Sequence, residues 1–466
     1  MKDTEEFTRD PENDRKESRF ERDWTKGNIV RNLLSLAWPM MVGSGLNMFG
    51  PTIDMIWVGR LGVASVAGVG VAGMAVMLMN SMRMGLYTGL RAMIARFIGA
   101  DDNRSANHVA QQAFVVGASF STFIALVGIF FAEAILSLLG LEADVIVAGT
   151  AYMRIQFIGA IFMSLRMITE STMQASGDAV TPMKIAIVYR VFHVILCPFL
   201  IFGWWIFPRM GVSGAAMTNV ASQFVGGGLG LWVLFSGNTR MRLTLKNFNL
   251  DGNMIWRIVK IGIPASVSSM ERGVSQAVML WFMTSYGTLS IAAHTICSRA
   301  DMMVSMAAMG IGQAAGVLAG QNLGANQPGQ AEKACWIAAG IGEGLMISVS
   351  LAIFISPQTL AYIFTPDPEL VEVTSVFLRI MMAYFLVEGL RMVFMRCLND
   401  VGDTVPPMLV AILSMWLIQI PLAYFLPKMT DLGVLGVRWA MAIGTIAQVI
   451  AYVTYFRLGR WKRKKV

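Results

Sequence analysis

The chain has 466 residues, of which 55% are apolar and only 14% charged, and it carries 37 Lys and Arg against 29 Asp and Glu for a net +8. A water-soluble domain carries about 25% charged residues, so a soluble globule is excluded and the basic excess is read as membrane topology, not nucleic-acid binding. The four cysteines, Cys197, Cys297, Cys335 and Cys397, lie scattered in apolar segments without CxxC spacing, which speaks against structural disulfides and against a zinc site.

Residues 1–32 mix both charges with no apolar core, so they form neither a signal peptide nor a span and read as a cytoplasmic tail. Apolar runs of about 20 residues, enough to cross about 30 Å of hydrocarbon as helix, follow at 33–58, 63–88, 109–132, 145–168, 183–207 and 212–236. After a linker at 237–254 they resume at 255–285, 289–318, 334–355, 370–396, 406–427 and 433–456, and a basic tail closes the chain at 457–466. These runs are continuous, whereas barrel strands are alternating segments of about 10 residues. The fold class is therefore all-α, with twelve transmembrane helices.

The second six spans repeat the first. A shift of 225 residues lays Pro39 on Pro264, Gly62 on Gly287, Gly85 on Gly310, Gly99 on Gly324, Arg166 on Arg391 and Gly177-Asp178 on Gly402-Asp403. An even number of spans per repeat gives both halves one orientation, so two six-helix bundles, 33–236 and 255–456, are related by a pseudo-twofold axis along the membrane normal. Lys and Arg crowd the linker and the last residues but are missing from the loops 133–144 and 356–369, which places both termini in the cytoplasm. Duplicated membrane lobes of this kind belong to secondary transporters with a site between the repeats. No GxxxxGK[ST], HExxH or GxSxG is present, so no enzyme chemistry and no cofactor is expected.

An ionisable residue inside a span costs several kcal/mol unless paired or hydrated, so each one is a functional candidate. Asp54 lies three residues after Pro51 in the first span and has Met279 as its repeat mate; it is either a coupling or substrate site or a helix-end partner of Arg60. Glu271 in the seventh span and Glu388 in the tenth have the apolar mates Leu46 and Met163. Together they make a site for Na+ or H+; otherwise Glu271 pairs with Arg272 or another Arg, and Glu388 with Arg391 or Arg396. Asp301 and Arg299 in the eighth span sit on different faces and seek partners on other helices, with His294 nearby. His193 and Cys197, four apart in the fifth span, share a face that suits a soft metal or simple packing. The 36 Met either line a cavity for varied apolar ligands or fill the core.

The string from Pro51 to Gly62, PTIDMIWVGRLG, continued by Ser65-Val-Ala-Gly-Val-Gly, resembles the first-span signature of the multidrug and toxic compound extrusion (MATE) family. Ala292-Ala-His-Thr-Ile and the stretch from Met309 to Ala325, MGIGQAAGVLAGQNLGA, resemble it in the second lobe, and the likeness runs over about residues 30–456. It implies a pair of six-helix bundles exporting small organic, often cationic, compounds in exchange for Na+ or H+. The chain is expected in the plasma membrane, and no sequence feature requires more than a monomer. By the same resemblance the first-span Asp corresponds to Asp54, the tenth-span acid to Glu388 and the seventh-span acid of some branches to Glu271. Where many members have Asn and then Asp-Pro in the fifth span, this chain has His193 and Cys197-Pro198, which shifts weight to the second-lobe acids and makes His193, an imidazole that can titrate near neutral pH, a further substrate or coupling candidate beside Asp301 and Arg299. Two rival readings stand beside this one: a flippase of lipid-linked sugars, which would use the first-lobe Arg83, Arg91, Arg96, Arg154, Arg166 and Arg190, and a receptor or scaffold that transports nothing.

Overall fold

The computed structural model describes residues 23–138, 142–237, 239–246 and 248–464, and among them every regular element is helical. Most of the expected tail, residues 1–22, lies outside these residues, as do linker residues Asn238 and Asn247. In the first lobe the helices are α1 (Ile29–Val58), α2 (Val63–Gly99), α3 (Asn103–Ser137), α4 (Ala143–Ile158), α5 (Ala160–Ser176), α6 (Val180–Phe202) and α7 (Val212–Ser236). In the second they are α8 (Gly252–Thr284), α9 (Thr288–Gly324), α10 (Pro328–Ile355), the short α11 (Pro357–Tyr362), α12 (Pro368–Asp400), α13 (Val405–Ser414), α14 (Ile420–Met429) and α15 (Val434–Arg457).

Among the described residues eight helical stretches are long and apolar enough to cross a membrane, and the pair α4–α5, bent by 47°, makes a ninth. The remaining three of the twelve expected spans are α1, α7 and α8, equally long but more polar. The expected span 145–168 thus breaks at Gly159, where a side chain would drive into Val220. The span 406–427 is interrupted by a π turn, Met415–Gln419, just before Pro421, whose missing N–H cannot continue the ladder.

The described residues at both ends of the chain are packed onto the lobes. Asn28 caps α1, its side chain accepting from Val30 N and Arg31 N at 2.9 and 3.2 Å, and Trp24 is buried against Gly177. At the other end Trp461 stacks on Phe456 at 4.6 Å, and Lys462 pairs with Glu332 at 2.6 Å. Apolar packing of these two tryptophans, invisible to a reading of charge, holds the segments down. The linker is held as well: Asn107 bonds Thr244 in both directions, and Asp251 caps α8 through Asn253 N and Met254 N.

The repeat is written into the backbone. Left-handed residues recur at the same offset, Gly62 with Gly287, Asp101 with Asn326 and Gly177 with Gly402. Contacts between the lobes obey the pseudo-twofold too. Gly99 packs on the backbone of Gln321 while Gly324 packs on that of Arg96, and Gly85 on Ser266 while Gly310 packs on Met41. In each pair the positions exchange under the 225-residue shift, as an isologous interface requires. Glycine is needed there because a Cβ on Gly99 or Gly324 would lie 2.0 Å from a carbonyl oxygen. The first half of α1 accordingly joins the second lobe's core, with Leu33, Leu36 and Met40 packed among Ile311, Ala315 and Leu318.

Among the described residues, hydrogen bonds join the helical lobes from the helix ends nearest the chain termini up to the middle of α2 and α8. Arg91 pairs with Asp400 through Nε at 3.2 Å and Nη2 at 2.9 Å, both side chains buried. Arg96 donates to Val401 O, Ser266 to Met82 O, and Gln321 to Ala175 O. Arg396 reaches the sulfurs of Met309 and Met84. The molecule is sealed at this end, and its acids lie beyond the seal: Glu388 is twelve residues before Asp400 on α12, about 18 Å along the helix at 1.5 Å per residue.

Candidate functional site

Two polar clusters sit inside the bundles, one per lobe. In the first, Asp54 on α1 faces α6. Asp54 is 1% exposed, and its Oδ1 lies 2.9 Å from His193 Nε2 and 3.6 Å from Cys197 Sγ. Arg190, one turn before His193, sets its Nη1 at 2.8 Å from Nδ1. A guanidinium has only donors, so Nδ1 accepts, the ring proton is on Nε2, and His193 donates to Asp54. Arg190 approaches this closely because Gly50 has no side chain: a Cβ there would fall 2.0 Å from Nη1. The other carboxylate oxygen, Asp54 Oδ2, is buried without a partner. Arg60 instead stacks on Trp57 at 4.8 Å, so the helix-end pairing of Asp54 with Arg60 does not form.

The second lobe gathers three of the expected acids. Glu388 is buried and grips Arg391 one turn along α12 with both oxygens, at 2.5 and 2.6 Å. Asp301 on α9 accepts from Tyr384 at 3.0 Å and Ser305 at 3.3 Å and faces Arg272 Nη2 at 3.7 Å. Its partners therefore come mainly from α8 and α12, as its position away from Arg299 requires. Glu271, one turn of α8 beyond the Ser266 contact, faces Arg391 and Arg272 but makes no hydrogen bond or ion pair among the described residues. Its expected partner Arg272 is given to Asp301. Arg299 is exposed and is not brought to either cluster. His294 is buried two turns before Asp301 on α9, against Arg438 Nη1 at 3.1 Å.

One carboxylate escaped the sequence reading. Glu343 on α10 accepts from Leu390 N at 3.0 Å, in the middle of α12 and two residues from Glu388, and its Oε1 is buried without a partner. A lone acid in an apolar run was the signal available for it. Arg91 and Asp400 carried no such signal as a pair, since only the packing of the two lobes brings residues 309 apart together.

The MatE family model matches residues 39–199 and 264–425, one segment in each lobe. The chain is 25% identical over 456 residues to a Thermotoga maritima protein described as "Probable multidrug resistance protein NorM", covering 94% of each. It is 25% identical over 442 residues to "Multidrug export protein MepA" of Staphylococcus aureus, covering 93% of this chain and 96% of that one. A solved structure of a MATE protein in the straight conformation superposes with a TM-score of 0.88 at 22% identity, over 95% of this chain and 98% of that one. An outward-facing multidrug resistance MATE family transporter gives 0.86 at 22% identity over the same shares. These structural likenesses carry the fold of two six-helix bundles. With its family model matched in both lobes, the chain belongs to the multidrug and toxic compound extrusion family of membrane transporters.

Proposed function

We propose that this chain is a multidrug exporter of the plasma membrane that moves organic, cationic compounds outward in antiport with Na+ or H+, working as a monomer. The observation that carries the reading is Glu271. Arg391 is bound by Glu388 and Arg272 by Asp301, so Glu271 is left, together with Glu343, as a second-lobe acid free to hold an exchangeable cation. A proton or Na+ there neutralises the cluster, and a cationic substrate competes for the same charge; mutual exclusion of this kind is what antiport needs. Asp54, with Oδ2 unpartnered, is the corresponding carboxylate of the first lobe. The sealed end carries the basic tail and linker, so by the positive-inside rule it is cytoplasmic, and the conformation described here opens to the other side. The flippase reading would use the first-lobe arginines: Arg91, Arg154 and Arg166 are held by Asp400, Glu133 and Glu170, whereas Arg83, Arg96 and Arg190 bond only neutral partners and keep buried donors unsatisfied, which keeps that reading as the second one.

Binding of a fluorescent organic cation to the purified protein in nanodiscs tests this. Raising Na+ at fixed pH, or lowering pH without Na+, is expected to displace the dye from the wild type, whereas Glu271→Gln is expected to bind the dye more weakly and with an affinity that neither titration changes. Dye that stays on the wild type under both titrations contradicts the reading.

A further inference from the structure

We propose that Asp54, His193 and Cys197 form a binding site for one soft divalent cation of the Zn2+ class, inside the first lobe. One ligand atom from each residue lies within 4.8 Å of the others, and all three side chains are buried. Tetrahedral zinc, with bonds of about 2.0–2.3 Å to O, N and S, sets its ligands about 3.3–3.7 Å apart. The Cys197 Sγ to Asp54 Oδ1 distance of 3.6 Å already meets this, and the His193 Nε2 to Oδ1 distance of 2.9 Å needs to open by less than about 1 Å. Independently of that spacing, Asp54 Oδ2 is turned into the buried interior with no donor to satisfy it, an acceptor a cation would complete. His193 and Cys197 are one helical turn apart on α6, so their side chains project together and the helix fixes their separation.

The ligand set selects the metal. One thiolate, one imidazole and one carboxylate suit Zn2+ or Co2+, whereas Na+, Mg2+ and Ca2+ take all-oxygen sites. Two proton movements accompany binding. Cys197 gives up its thiol proton to solvent as the metal–sulfur bond forms. The His193 proton moves from Nε2 to Nδ1, so Arg190 Nη1 releases the ring. Arg190 already has a second acceptor, Asn47 O at 3.4 Å from Nη2. Arg190 is thus a gatekeeper whose charge opposes the metal, and loss of that charge strengthens binding. Occupancy ties α1 to α6 and engages the carboxylate of Asp54, so the metal would act as an inhibitor, separate from the cation exchanged at Glu271.

The test is a Co2+ titration of the purified, metal-free protein in nanodiscs. The wild type is expected to develop a thiolate-to-cobalt charge-transfer band that saturates at one equivalent and is bleached by Zn2+. The band should vanish in Cys197→Ser, persist in Cys297→Ser, and form at about tenfold lower Co2+ or less in Arg190→Gln. A wild type without the band, or a band that survives in Cys197→Ser, overturns the proposal. Should Cys197→Ser not fold, the wild type alone decides. In mild denaturant, where the buried thiols react as the bundles open, Zn2+ must slow maleimide alkylation of Cys197 at least about tenfold more than that of Cys297, Cys335 and Cys397, and equal rates with and without Zn2+ overturn the site.

Discussion

Removing Glu388 and removing Glu271 have different consequences, because only one of them leaves a buried charge alone. Glu388→Gln takes both carboxylate bonds from Arg391 and leaves it facing Glu271 with no acid in bonding contact. Breaking one side of a buried pair costs about 3–5 kcal/mol, so the purified variant is expected to melt well below the wild type and to transport poorly for that reason. Glu271→Gln removes a carboxylate with no partner of its own, and should melt within a few degrees of the wild type while losing ion-driven transport. Thermal unfolding of the two variants in the same detergent checks this, and equal losses would mean that Glu271 is paired after all. The sequence named Asp54, Glu271, Glu388 and Asp301 because a charge in a span is rare and costly. It was silent on which arginine each would take, because that depends on helix rotation and on neighbours hundreds of residues away. Arg299, in the same span as Asp301, drew notice for the same reason and turned out to face outward.

Helix count and order follow from apolar run length, which a bilayer enforces more strictly than water does. Helix ends follow less well. The span expected at 63–88 continues as α2 to Gly99: a run of hydropathy stops at the first charges, yet Arg91 and Arg96 remain helical because the other lobe supplies Asp400 and Val401 O. The same half of α2 contains Gly85 and Gly99, where the lobes approach backbone to backbone. Gly99→Ala would place a methyl 2.0 Å from Gln321 O, and Gly324→Ala another 2.0 Å from Arg96 O. Backbone cannot yield as a side chain can, so each substitution is expected to cost about 1–3 kcal/mol as overpacking and to wedge the seal between the lobes apart. Greater solvent accessibility of an introduced cysteine at the seal, read by maleimide labelling of membranes, is the expected sign; unchanged labelling would mean that the two lobes do not close on these glycines.

For the molecule as a whole, the seal must break for the lobes to open toward the termini, and Arg91–Asp400 is its most buried bond. Arg91→Met leaves Asp400 unpaired only while the lobes are closed. About 3 kcal/mol of lost stabilisation moves the balance of the two states by more than about a hundredfold. Distances between spin labels on the two lobes should then shift from the arrangement described here toward one open at the termini, and a distance distribution identical to the wild type would contradict the seal's role. The central claim is that this duplicated fold converts an ion gradient into export through Glu271. The most direct test is efflux of a fluorescent organic cation from proteoliposomes under an imposed Na+ gradient and then an imposed pH gradient, for the wild type and Glu271→Gln. The account predicts transport driven by one of the two gradients and abolished in the variant; transport indifferent to both gradients, or equally fast in Glu271→Gln, would contradict it.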